Sequence, residues 1–139
     1  MILTKLLELV ILLINIATYT PPLEDACVSV TNYWPYKWEN NQWVATAYEG
    51  QADADPFHTA YMYEISAIDA GTFVAAPDSL GGKNIYLPGW GTLPVKDRFG
   101  AMAYREGVFY HHIYEQYVWG VDIFTPDPYH YLECDWEFR

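Results

Sequence analysis

Eight short runs rich in β-branched and aromatic residues, separated by glycine, proline, asparagine and aspartate, constrain this chain more than any other feature. They read CVSVTNYW, QWVATAY, TAYMYEISAI, GTFVAA, KNIYLPGWG, LPVKD, VFYHHIYEQYVWGVDIF and YLECDWEF. Strand and turn signals at such intervals belong to small all-β barrels and sandwiches. The same residue types argue against a helix within 58–68 or 109–118. A chain of 139 residues has room for one core. The expected organisation is a leader over 1–20, a linker over 21–26 and one β domain over 27–139.

The leader, MILTKLLELVILLINIATYT, is an apolar run with one lysine, broken by Glu8 and Asn15. It reads as an export signal or a short anchor, being shorter than the ~20 apolar residues of a spanning helix. An amphipathic helix packed on the domain is the other reading. Pro21 and Pro22 bar its continuation. The expected location is extracytoplasmic, secreted or membrane-anchored, with membrane contact through this segment alone. Cys27 and Cys134 stand at the two ends of the globular part. In an exported chain they form a disulfide, and in a reducing cytosol they are two buried thiols.

Seven basic against eighteen acidic residues leave 7 − 18 = −11 charges, which repels nucleic acid and anionic membrane surfaces. Thirteen tyrosines and six tryptophans suit strand ladders and the apolar faces of sugars equally. Trp34, Trp38, Trp43 and Trp90 are thus candidates for stacking on pyranose rings or for the core. His111 and His112 are adjacent, so in a strand they face opposite ways, and His58 and His130 are distant in sequence; no metal site is expected. Neither a phosphate-cradling loop nor a Gly-x-Ser-x-Gly elbow is present, and no cofactor is expected.

Two aspartates sit inside apolar runs. With a period of two, Leu93, Val95 and Asp97 project to one face, while Asp122 and Phe124 project opposite to Trp119, Val121 and Ile123. Strand interiors are poor in aspartate. A strand-end turn or a solvent-facing position explains either one alone. Burial beside a second carboxylate would instead raise the pKa of one of them, as a general acid requires.

The segments VSVTNYWP, TFVAAPDSL, KNIYLPGWG, VKDRFGAM and GVDIFTPDP, spread over residues 28–127, together resemble the double-psi β-barrel domains of the three-aspartate and rare lipoprotein A type. Such domains also occur in membrane-bound lytic transglycosylase A and, more distantly, in expansins. The resemblance is most specific at Tyr86–Gly91, Asp97–Gly100 and Val121–Ile123. It implies a six-stranded double-psi β-barrel whose groove binds a polysaccharide such as a peptidoglycan strand. Asp97 and Asp122 would face the sugar beside a threonine, which is Thr31 by motif or Thr46 by its distance to VAAP. Tyr33, Trp34, Trp90 and Asp78 are the further candidates for contact with substrate. A lytic transglycosylase lets the substrate's own hydroxyl attack the anomeric carbon, so one carboxyl serves as acid and then base. Asp97 is expected in that role, with Asp122 and Thr31 orienting it. A binding or wall-loosening module without turnover, or a structural subunit of an extracellular assembly or virion, are the alternatives. The chain departs from the family in having Phe99 where a glycine is usual, Ala76 in place of the first aspartate (or Asp78 displaced behind Pro77), and a long stretch over 101–120.

Overall fold

A computed structural model describes residues 2–18, 20–45, 56–99 and 105–139. Helix α1 spans Ile2–Thr18. Leu3, Leu6, Leu7 and Val10 are exposed on it, so this part of the helix does not pack on the domain. At 17 residues it is about 26 Å long. No helix among the described residues is long and apolar enough to cross a membrane. After the two prolines a single 3-10 turn, Leu23–Asp25, delivers the chain to the buried Ala26.

The strands are β1 (Cys27–Tyr33), β2 (Tyr36–Glu39), β3 (Gln42–Ala45), β4 (Val74–Ala76), β5 (Asn84–Leu87), β6 (Gly91–Arg98), β7 (Phe109–His111), β8 (Gln116–Phe124), β9 (His130–Glu133) and β10 (Glu137–Phe138). Eight of them form one sheet in the order β10-β5-β6-β4-β8-β1-β9, with β7 also paired to β8. The pairs β1·β8 and β4·β6 run parallel and the rest antiparallel. β2 and β3 make a separate hairpin turned at Asn40 and Asn41, both at positive φ, which asparagine tolerates. The all-β class with an N-terminal helix is therefore observed. Closure of six strands into a barrel is not: among the described residues no ladder joins β9 to β10, and the sheet keeps two ends.

Alternation along β8 explains why this strand lies at the centre. Trp119, Val121 and Ile123 are fully buried in one core with Val28, Val30, Val74 and Val95. Phe124, pointing the other way, joins Phe73, Tyr36 and Ile65 in a second core, where its ring stacks on Phe73 at 4.6 Å. Both faces of the sheet are thus covered near the C-terminal end of β8.

Three of the expected runs behave differently. TAYMYEISAI is a loop pinned by a bridge between His58 and Glu64, because Met62 takes a left-handed φ of 68° that no strand accommodates. The long run from Val108 is a hairpin, turned where Glu115 adopts φ 53°. YLECDWEF breaks after Glu133, and its last residues cross over to pair with β5.

Cys27 and Cys134 are joined in a disulfide that closes a separation of 107 residues and ties the start of β1 to the end of β9. Cross-linking so long a loop restricts the unfolded chain strongly. Replacing both cysteines by serine is expected to lower the unfolding free energy by about 2–5 kcal/mol. Denaturant titration of the oxidised protein and the double variant measures it, and equal midpoints would refute it.

Candidate functional site

The ladders bring five residues from five strands into one row. Thr31 pairs with Asp122 across β1·β8 and with His130 across β1·β9. Ala75 pairs with Asp122 across β4·β8 and with Asp97 across β4·β6. Residues in register share a face, so Asp97, Ala75, Asp122, Thr31 and His130 line up on one side of the sheet. Two inter-strand steps separate the backbones of Asp97 and Asp122 by about 10 Å. Ala75 stands between them in the row.

Asp97 reaches this face because the β4·β6 ladder slips. Val74 pairs with Val95, but the next residue, Ala75, pairs with Asp97, so β6 carries one extra residue, Lys96, in a bulge. A one-residue slip turns every following side chain to the other face. This corrects the period-two expectation, which aligned Asp97 with Leu93 and Val95. Those two are buried in the core, whereas Asp97 is half-buried on the opposite side.

The two carboxylates have different surroundings. Asp97 Oδ1 accepts the backbone N–H of Ala60 at 2.8 Å and that of Arg98 at 2.9 Å, and its Oδ2 accepts the Tyr33 hydroxyl at 2.9 Å. Three donors on one carboxyl suit an ionised, acceptor-only group. Asp122 Oδ1 accepts the Thr31 hydroxyl. Burial pushes Asp122 up to about 6; the Thr31 hydrogen bond opposes that rise and the Asp97 charge adds to it. Tyr33 is raised well above the ordinary tyrosine range, first by burial and then by the Asp97 charge and hydrogen bond.

Asp122 and Thr31 line a cleft of about 270 Å³ with Ser29, Gly120, Phe99, Phe109, His111 and His130. Ser29 and Gly120 form the next row of the floor, being in register across β1·β8. Phe99 lies on Gly120 so closely that a Cβ there would stand 2.7 Å from its ring, so a larger residue would have to displace the ring. β7 contributes Phe109 and His111 to one wall, and β9 contributes His130 to another.

Of the residues singled out from sequence, Thr31, Tyr33, Asp97 and Asp122 come together. Thr31 and Asp122 line the cleft with His111 and His130, whereas Tyr33 and Asp97 are not part of its lining. Trp34 packs on Phe124 at 4.9 Å and on Tyr36 at 5.0 Å, and its buried indole nitrogen has no acceptor among the described residues. Trp90 packs against the first core and Tyr129. Asp78 is exposed on the turn Asp78–Leu80, accepts the Tyr61 hydroxyl at 3.2 Å and lies 3.7 Å from the Arg98 guanidinium. Thr46 and Gly100 lie outside the described residues. Sequence reasoning missed Ser29, Phe109 and Gly120 as cleft residues and noted Phe99 only as standing where a glycine is usual. His111 was legible only as one of two adjacent histidines on opposite faces, and His112 is indeed exposed. Among the described residues no group of three or more His, Cys, Asp or Glu is placed to hold a metal ion.

No family model, curated protein or solved structure matches the chain.

A carboxyl that holds its proton more tightly folded than unfolded contributes stability at low pH and loses it as the pH rises. For Asp122 the window runs from the ordinary aspartate value of 3.8 up to about 6. Asp122→Asn keeps an acceptor for Thr31 and cannot ionise. Relative to this variant, the parent protein is expected to lose roughly 2–3 kcal/mol between pH 4 and pH 8. Urea titrations at the two pH values check it, and parallel pH profiles would refute it.

Proposed function

We propose that the cleft binds and cleaves a glycan strand of the peptidoglycan kind, with Asp122 as the single acid and base. The observation that carries this reading is a proton-holding carboxyl on the floor of an accessible cleft, in register with a hydroxyl donor and backed by a second carboxylate. This reading moves the acid–base role expected of Asp97 to Asp122, because at least three donors on Asp97 favour its ionised form. In the proposed cycle the Asp122 carboxyl gives its proton to the glycosidic oxygen as the C1–O bond breaks. The primary hydroxyl of the same sugar then attacks C1, and its proton returns to Asp122. An anhydro sugar leaves, no water is consumed, and the carboxyl is ready again.

The reading also assigns the fold to the double-psi barrel type. Its support is topological: β1 runs parallel to β8, about ninety residues later, and β4 runs parallel to β6, so the chain crosses over twice. Export through the N-terminal segment is proposed with it, supported by the disulfide, since such bonds persist in oxidising compartments. One feature favours a second reading, binding without turnover: the Phe99 ring fills the space above Gly120.

Incubation of the protein with wall sacculi, followed by mass spectrometry of released products, tests the proposal. Anhydro-sugar products are expected, and Asp122→Asn should reduce their rate at least ~100-fold, with Asp97→Asn costing less. Sedimentation with sacculi without products would establish the binder instead. Undiminished cleavage by Asp122→Asn would remove the catalytic assignment.

A further inference from the structure

We propose that His111 and His130 form an anion subsite at the wall of the cleft, which holds a carboxylate carried by the glycan, as in a hexuronic acid or a sugar ether acid. This inference rests on the glycan reading of the cleft and names the substrate class within it.

The two imidazoles arrive from opposite sides of the β1·β8 floor. His111 stands on β7 and His130 on β9, and their ring centroids are 6.1 Å apart. Tyr114 packs against both, at 4.4 Å from His111 and 6.0 Å from His130. The His111 Nδ1 accepts the Tyr114 backbone N–H at 3.4 Å, which places the proton of the neutral ring on Nε2 as a donor. The exposed His130 imidazole has no hydrogen bond or ion pair among the described residues. Two donors without acidic partners thus line one cleft.

A carboxylate suits this pair better than a sugar hydroxyl does. Its two oxygens can each take one N–H across the gap, and hydrogen bonds to an anion are about twice as strong as neutral ones. The balance of charge also points there. The chain carries −11, which disfavours an acidic glycan elsewhere on its surface, whereas the histidines are the basic groups lining the cleft. Asp122 lies two strands from His130 and holds its proton up to about 6, so the floor is neutral in weak acid.

The test uses the full chain at pH 5.5. Imidazole C–H resonances are followed while glucuronate, and separately methyl glucoside, is added. Saturable shifts at His111 and His130 with glucuronate only are expected, with His58 and His112 unmoved. Calorimetry then compares an acidic oligosaccharide with a neutral one of equal length. His111→Gln/His130→Gln should weaken the acidic ligand about tenfold or more and so abolish the preference for it over the neutral one. Where the double variant does not fold, His130→Gln alone, at an exposed position, serves the same purpose. Equal responses to the two monosaccharides, or a preference that survives in the variants, would overturn the subsite. A carboxylate preference in a protein that releases no products leaves the subsite standing and removes the enzyme; cleavage without preference does the reverse.

Discussion

The parallel ladder between β1 and β8 is the constraint on which the site depends. It pairs Cys27 through Tyr33 with Val118 through Phe124, so segments about ninety residues apart align without a slip. Every inward residue of one strand meets an inward residue of the other. Val28 and Val30 reach the first core with Trp119 and Val121, while Ser29 and Thr31 are left beside Gly120 and Asp122. Core and cleft are therefore two faces of one ladder. A shift by one residue would send the polar set into the core and strand the valines above it. β9 flanks β1 on its other side, and the disulfide holds the end of that pair together, away from the cleft floor.

Placing a carboxylate on the half-buried face of a fully packed strand opposes stability, and the surroundings offset only part of that cost. The Thr31 hydroxyl supplies one hydrogen bond to Asp122, whereas Asp97 accepts at least three among the described residues. A group left with one donor and little water holds its proton, and one surrounded by donors gives it up. The fold therefore separates two identical side chains chemically, first by burial at Asp122 and then by the N–H and O–H groups aimed at each. Part of that supply comes from outside the sheet. The loop carrying Ala60 folds back to β6 and gives Asp97 a backbone donor in addition to that of Arg98.

Much of this was legible in the sequence, and the rest was not for identifiable reasons. The faces of β8 followed from plain alternation, since nothing interrupts its period between Val118 and Phe124. β1 and the strands on either side of Gly89 were marked by their turn residues. The position of Asp97 was misread because a bulge has no signal in one strand alone; Lys96 is extra only relative to β4. His130 was left as a distant residue because an antiparallel pairing with Thr31, 99 residues earlier in number, is a long-range contact that composition does not encode. The Ala60 donor was equally hidden, since any residue but proline offers a backbone N–H. Trp34 and Trp90 were flagged by residue type alone, and apolar packing claimed both.

The bulge also decides how the carboxylates influence each other. Without it Asp97 would point into the first core, and its charge would lie on the far side of the sheet from Asp122. With it, the charge stands on the same face, one alanine away, fixed by Tyr33 and two backbone amides. Burial is the main reason Asp122 keeps its proton, and this fixed negative neighbour is a further one. Asp97 is not part of the cleft lining, and its charge raises the Asp122 pKa from further along the same row. The same logic accounts for Ala75: a larger side chain there would occupy the space between the two carboxyls and weaken a coupling that depends on their separation. Burial, with a second aspartate held one small residue away by a strand bulge, is then enough to give a sheet face an acid whose pKa is pushed up to about 6.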